Sequence, residues 1–370
     1  MTATTIPPLT DYPSSRQAFL ASAEDAGAHV ESVPHPGAGP DGAPLATDVA
    51  RFGAPVGEAD DVLLVLSGVH GVEGHAGSGL QRNLLRTGRL GSLPARTAVV
   101  LVHAVNPFGM AWTRRVDADN IDVNRNFVDV AHLPANALYA EVDALLNPTD
   151  PDVDPTDESY LADVLEFWGR VGDHRAMQAL SGGQYTHPLG IQFGGQHVSW
   201  SRRTLEALWD RHLAGAGRTV QLDVHTGLGP TGRLTVFQTA DADEFGAELG
   251  ASWYPDHLYR SDRSEPDPVD HGLLGPGFDA WASSRGATAP TERATFVVEF
   301  GTLDVMKGLT AFRADNWLHH HGDRDSDLGR AITQLVLDQF YVDDEGWRTD
   351  VAQQGEMAIH TALDGFAAGG

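Results

Sequence analysis

A mixed, largely parallel twisted central sheet with helices on both faces is the α/β fold this sequence predicts. Three observations point to it: an apolar run at 61–66 (DVLLVL) closed by Gly68, a second at 97–103 with a helix-length stretch between them, and later β-rich runs at 219–224 and 295–300 (TFVVEF). Short apolar runs bounded by glycine read as buried strands. Strands that alternate with helical stretches form parallel sheets.

Taken in order, 14–29 (SSRQAFLASAEDAGAH) has helical character with Ser14 or Ser15 as N-cap, and PHPGAGPDGAP from Pro34 reads as a Gly/Pro loop. Residues 1–55 therefore look like an appended segment. A strand at 61–67, a helix over about 76–90 and a strand at 97–103 follow, then a polar stretch to Phe127. The acid- and proline-rich loop 148–157 (NPTDPDVDPT) opens a helical excursion over about 158–180. Strands at 219–224, 234–238 and 295–300 return to the sheet, and 303–340 is mostly helical. The expectation is one domain over 1–370, with a catalytic core at 56–345 and a tail at 346–370.

A chain of 370 residues buries roughly three quarters of its unfolded surface, enough for one large core. It has no cysteine, which excludes disulfides, thiolate metal sites and cysteine nucleophiles. Against 25 Lys and Arg stand 51 Asp and Glu, a formal charge of −26 that opposes attraction to phosphate backbones and anionic lipid. Nucleic-acid and membrane partners are not expected. The first thirty residues hold no basic start followed by an apolar stretch, and no later segment is an unbroken apolar span of about 18 residues. A soluble, cytoplasmic protein is the expectation.

The chemistry concentrates at the predicted strand ends. LSGVHGVEGHAGSG (66–79) sets His70 and Glu73 three apart in a glycine-rich turn, QLDVHTG carries His225, and FVVEFGT carries Glu299. Open α/β sheets place ligands at the carboxyl ends of their strands, where segments distant in sequence converge. Two histidines and a carboxylate with an open fourth position form a catalytic zinc set, which leaves Glu299 as general base. Zinc lowers the pKa of bound water from about 15.7 to about 7, and a carboxylate takes the proton as water attacks a carbonyl. Read singly, His70 and His225 are buried, hydrogen-bonded histidines and Glu299 caps a helix. Four such residues, all at strand ends, favour the metal.

The stretch 106–127 (NPFGMAWTRRVDADNIDVNRNF) is too polar for core. Arg125, and Arg114 or Arg115, can fork onto a substrate carboxylate or polarise its carbonyl, with Asn124 as an amide donor. The competing reading is a solvated network with Asp117, Asp119 and Asp122. Beside a metal site the substrate reading is preferred.

In their order, HGVEG, NPFG with RR and DVNRNF, DVHTG and VVEFGT resemble the zinc carboxypeptidase superfamily of metallopeptidases, the M14 family. Within it the chain looks most like the bacterial branch of unknown function, DUF2817, with the signature SGxHGxEGxxGS; the resemblance covers roughly residues 10–340. It implies one zinc ion held by His70, Glu73 and His225, with Glu299 as general base and electrostatic stabiliser. It further implies that Asn124 and Arg125 grip a terminal carboxylate, that Asp122 orients a ligand histidine, and that Arg115, rather than Arg114, polarises the carbonyl. Thr226 and Gly227 follow His225 where many carboxypeptidases carry a tyrosine. No motif fixes a substrate-closing tyrosine, though Tyr254 and Tyr259 lie in the right region.

Other motif-like stretches carry no site. His75 completes neither HExxH nor HxxEH, since the flanking glycines argue against a helical metal motif, and it reads as a residue behind the ligands or at a helix N-terminus. GLGPTG (227–232) matches GxGxxG but runs into a strand. His319, His320 and His321 read as surface, since consecutive helical residues diverge, and His103 reads as core. The leading function is a metallocarboxypeptidase-like hydrolase acting on a small peptide. An N-acyl amino acid deacylase of the aspartoacylase or succinylglutamate desuccinylase type is the alternative, and a noncatalytic zinc-binding module a third. The oligomeric state has no signature.

Overall fold

The computed structural model describes residues 5–238, 244–259 and 270–368. Seven strands, β1 (His29–Ala38), β2 (Pro44–Gly53), β3 (Asp61–Ser67), β4 (Thr97–His103), β5 (Arg218–Thr231), β6 (Leu234–Gln238) and β7 (Glu292–Gly301), form one sheet in the order β1-β2-β4-β3-β5-β7-β6. The central four, β4-β3-β5-β7, are parallel, whereas β1, β2 and β6 join antiparallel at the edges. The chain leaves β3 towards β4 on one side and returns to β5 on the other. That reversal opens a crevice at the carboxyl ends of β3 and β5.

Both faces of the sheet are covered because its central strands are apolar on both sides. Leu63, Val65, Val99 and Leu101 pack with the helices Tyr12–Asp25, Gly74–Arg86 and Glu345–Ala368. Their alternating neighbours Val62, Leu64, Val100 and Val102 pack with Trp209 of Trp200–His212 and with Phe278 and Trp281 of Leu274–Arg285. Burying one such aromatic contributes roughly 2–3 kcal/mol. On this second face β5 and β7 depart from the apolar pattern. Val220, Leu222, Val224, Phe296 and Val298 join the first core, while the alternate positions Thr219, Gln221, Asp223, Thr295 and Glu299 are buried polar groups. Period-two alternation thus aims a polar stripe at the crevice.

Several boundaries differ from the sequence reading, each for a local reason. The first helix starts at Tyr12, capped by Asp11, whose side chain accepts from Ser14 N, not by Ser14 or Ser15. The Gly/Pro stretch from Pro34 lies largely in β1 and the following turn, and β2 pairs with β4, so the opening segment is part of the sheet. Proline is tolerated in β1 because it is the edge strand. The second helix spans Gly74–Arg86, earlier than 76–90. The excursion 158–180 breaks at Gly172 (φ 83°), giving Leu161–Val171 and Asp173–Ser181. Residues that read as a tail form the helix Glu345–Ala368, which buries Trp347, Val351, Ile359, Leu363 and Phe366. Among the described residues no helix is long and apolar enough to cross a membrane.

The glycines of HGVEGHAG serve close approach. A Cβ on Gly71 would lie 2.2 Å from the Gly109 carbonyl carbon, and one on Gly77 would lie 2.5 Å from Ser67 Cβ. The first contact stacks the turn after β3 on the 106–111 segment, and the second seats a helix on a strand. We expect Gly71→Ala to destabilise the fold by about 1–3 kcal/mol in urea denaturation. Gly91→Ala, with nothing within 4 Å, should change it by less than about 0.5 kcal/mol. Equal midpoints would show that the contact is unimportant.

Candidate metal centre

After β3, Gly68 takes φ +68° with Ala104 Cα and Gly74 Cα both 3.3 Å from where a Cβ would sit. His70 is extended, and Gly71–Glu73 forms a single 3₁₀ turn closed by Glu73 N–H donating to His70 O at 3.2 Å. Residues three apart eclipse in a 3₁₀ turn. His70 and Glu73 therefore project together, with Nδ1 and Oε1 2.9 Å apart. From β5, His225 Nδ1 comes within 2.9 Å of Glu73 Oε2 and 3.1 Å of His70 Nδ1. One ligating atom from each residue lies within 4.8 Å of the others, and all three side chains are buried.

The outer nitrogens are also fixed. His70 Nε2 lies 3.1 Å from Asp122 Oδ1, and His225 Nε2 lies 2.8 Å from Asp223 Oδ2. An imidazole that donates its outer N–H to a carboxylate keeps its inner lone pair for a metal. Burial raises the Glu73 carboxyl, but the two histidines outweigh it and hold Glu73 below the usual range. Burial likewise disfavours charge on His225, yet Asp223 and Glu73 raise it well above an ordinary histidine. Without an ion, a proton therefore bridges groups that a divalent cation would satisfy together. Two imidazole nitrogens and a carboxylate, with no thiolate in the chain, fit an ion that accepts mixed nitrogen and oxygen ligands.

The other predicted residues surround this set. Glu299 on β7 is the register partner of His225 and accepts from Leu228 N at 2.9 Å. Burial, and then the Glu73 charge, push its carboxyl up to about 8. Asp122 caps the short turn Val123–Arg125 and pairs through Oδ2 with Arg115, so its carboxyl stays ionised despite burial. Arg115 also lies over the Phe312 ring, 5.1 Å from its centroid. Arg114 goes elsewhere. It is buried, with Nε on Asp315 and Nη2 on Asn120 Oδ1. Asn124 Oδ1 accepts from Leu274 N, leaving its amide nitrogen as donor.

Arg125 is already engaged. Its Nε and Nη2 donate to Ser181 O at 3.0 and 2.8 Å, its Nη1 to Asn124 O at 2.9 Å, and Nη2 faces Asp270 Oδ2 at 3.4 Å. Of the three aspartates in the competing network, Asp122 pairs with Arg115, Asp117 is buried and accepts from Asp119 N and Ile121 N at 2.9 Å, and Asp119 is exposed.

Sequence reasoning missed Asp223 and Asp270. Asp223 carried a signal: it stands two before His225 on one strand, hence on the same face. Asp270 is 145 residues from Arg125, and no local pattern connects them. Tyr254 is core, its hydroxyl donating to Ala358 O at 2.9 Å, and Tyr259 packs on Phe237. His75 lies in the first turn of the helix Gly74–Arg86, the helix N-terminal place expected of it, although the flanking glycines do not prevent the helix. His103 stacks on Phe19, as expected of core. His319 and His320 are half-buried near Arg114, whereas His321 is exposed. GLGPTG ends β5 and turns towards β6.

Residues 9–354 match the family described as protein of unknown function (DUF2817). The chain belongs to that family. No curated protein matches it in sequence. Among solved structures the DUF2817 chain is similar to a candidate metallopeptidase from Shewanella amazonensis SB2B, at 14% identity over 83% of this chain and 92% of that one (TM-score 0.42). It is similar to carboxypeptidase A from Helicoverpa armigera, at 10% over 89% and 74% (0.44), and to succinylglutamate desuccinylase from Chromobacterium violaceum, at 15% over 83% and 74% (0.37). All three scores are below 0.5, so the chemistry rests on the residues themselves.

Because His225 holds a proton well above the ordinary histidine range, metal must displace it. Metal affinity should rise with pH and keep rising above pH 6.5, with net proton release seen by calorimetry in buffers of different ionisation enthalpy. Asp223→Asn should weaken zinc affinity about 10–100-fold in chelator competition. A pH-independent affinity, or an unaltered one in the variant, would remove the assigned roles.

Proposed function

We propose that this DUF2817 chain is a zinc-dependent hydrolase that cleaves an amide bond adjacent to a free carboxylate, on a small peptide. One observation carries the reading: His70 Nδ1, Glu73 and His225 Nδ1 converge, each histidine backed by a buried carboxylate, with Glu299 register-paired to the third ligand. A zinc ion there would supply a Lewis acid that acidifies water and polarises a carbonyl. Glu299 takes the proton and returns it to the leaving nitrogen. Burial, and then the Glu73 charge, raise its carboxyl, and a divalent ion held by His70, Glu73 and His225 would offset the Glu73 charge and favour the ionised base. Arg115, held by Asp122, offers its free donors to the oxygen that becomes negative. Asn124 and Arg125 orient the substrate carboxylate.

The second reading keeps this chemistry on an N-acyl amino acid. Such a substrate carries the same carboxylate beside its amide, so the contacts of Arg125 with Ser181, Asn124 and Asp270 bear on both readings alike.

With zinc loaded, Glu299→Gln should retain the metal and lose about 10²–10⁴-fold in kcat. Metal-free protein as purified, together with unchanged turnover by this variant, would end the mechanism. A panel of peptides with free and amidated C-termini, run beside N-acyl amino acids, separates the readings: amidation abolishes cleavage by a carboxypeptidase. If Arg125 receives a substrate carboxylate, Asp270 competes for it. Asp270→Asn should then lower KM several-fold at unchanged kcat, and an unaltered KM removes Arg125 from recognition.

A further inference from the structure

Next to Arg115 lies a narrow cleft that none of these roles uses. Of its lining residues all but Arg115 and Phe312 are buried, so its mouth stands at that pair, where the guanidinium lies 5.1 Å from the ring centroid. The cleft offers about 20 Å³ of water-sized space. That admits the head of a small polar group, not a whole molecule.

Three side chains of this cleft are more than nine-tenths buried and incompletely bonded. Arg114 uses Nε on Asp315 and Nη2 on Asn120, and its Nη1 has no hydrogen-bond partner among the described residues. Asn316 donates through Nδ2 to Leu189 O at 2.7 Å and to Asn147 Oδ1 at 3.1 Å, which fixes the orientation of its amide and leaves Oδ1 without a partner. Gln192 Oε1 has none either. Gln192 also holds φ +59°, a left-handed conformation uncommon outside glycine and enriched at ligand sites. One donor and two acceptors thus line a single cleft, and polar groups buried without partners are destabilising.

We propose that this cleft is a subsite for a primary carboxamide. The amide oxygen accepts from Arg114 Nη1, and its two N–H groups donate to Asn316 Oδ1 and Gln192 Oε1, so one planar group satisfies all three. A carboxylate of the same shape fits worse. Asp315 already neutralises Arg114, and a carboxylate has no hydrogen for the fixed Asn316 oxygen. An apolar group leaves all three atoms unpaired. The mouth decides which part of a substrate carries the amide. Arg115 is the group assigned to the scissile carbonyl, so the carboxamide belongs to the acyl side, on a side chain of glutamine or asparagine type; this placement rests on the hydrolase reading.

The test titrates the full chain, freed of metal by chelation, with propionamide, propionate and butanone, followed by NMR. Propionamide should bind at least about fivefold more tightly than either analogue and shift the side-chain amide signals of Gln192 and Asn316. Gln192→Met keeps the side-chain length and removes the acceptor. It should weaken propionamide about fivefold, with circular dichroism verifying the fold. Zinc-loaded protein is then given N-acetylated dipeptides ending in phenylalanine, with glutamine, glutamate or norleucine on the acyl side; kcat/KM should be at least about tenfold higher for glutamine. Selective propionamide binding with none of the three cleaved keeps the subsite and ends the hydrolase reading. Equal binding of amide, acid and ketone, amide binding untouched by Gln192→Met, or cleavage without preference for glutamine overturns the proposal.

Discussion

Two imidazole nitrogens held 3.1 Å apart with a carboxylate against both are the constraint around which the rest of this structure is arranged. Three buried acceptors cannot satisfy one another, and a single proton among them is a poor substitute for a cation. Holding them together costs desolvation and charge repulsion. That cost is carried by the sheet: β3 delivers His70 and Glu73 through one 3₁₀ turn, and β5, hydrogen-bonded beside it, delivers His225. Neither strand can withdraw without opening the core on both faces.

The two histidines are supported unequally. Asp122 behind His70 is neutralised by Arg115, so that side of the site is a chain of alternating charge ending in a guanidinium. Among the described residues Asp223 behind His225 has no Lys or Arg partner, and its second oxygen has no hydrogen-bond partner. An ion bound here would feel more electron density through His225 than through His70. The His70 and His225 sides of the site thus differ in charge through the carboxylates behind them.

Much of this was legible in the chain. The strands at 61–67 and 97–103 were visible because buried parallel strands are continuous apolar runs, and the ligand set because glycine-bounded motifs stand at strand ends. The edge hairpin was hidden because prolines at Pro34 and Pro36 mimic a loop, although an edge strand tolerates them. The helix Glu345–Ala368 was passed over because its apolar residues are spread among alanines and polar groups. Whether an arginine faces substrate or structure was beyond local pattern. Arg114 and Arg115 are neighbours, yet one meets Asp315, 201 residues away, and the other Asp122.

The turn that carries His70 and Glu73 is joined to the arginine loop by backbone, not by side chains: Gly71 N donates to Arg115 O at 3.1 Å, Val72 N to Arg114 O at 2.9 Å, and Gly71 rests on Gly109. Main-chain joints of this kind offer mutation few handles. Across the DUF2817 family, one wall of the crevice is therefore expected to be held nearly invariant, the ion and guanidinium moving as a single block. The opposite wall hangs instead on one side chain, Arg125, which reaches the main-chain oxygens of Ser181 and Asn124 and faces the Asp270 carboxylate, so substitution has more purchase there.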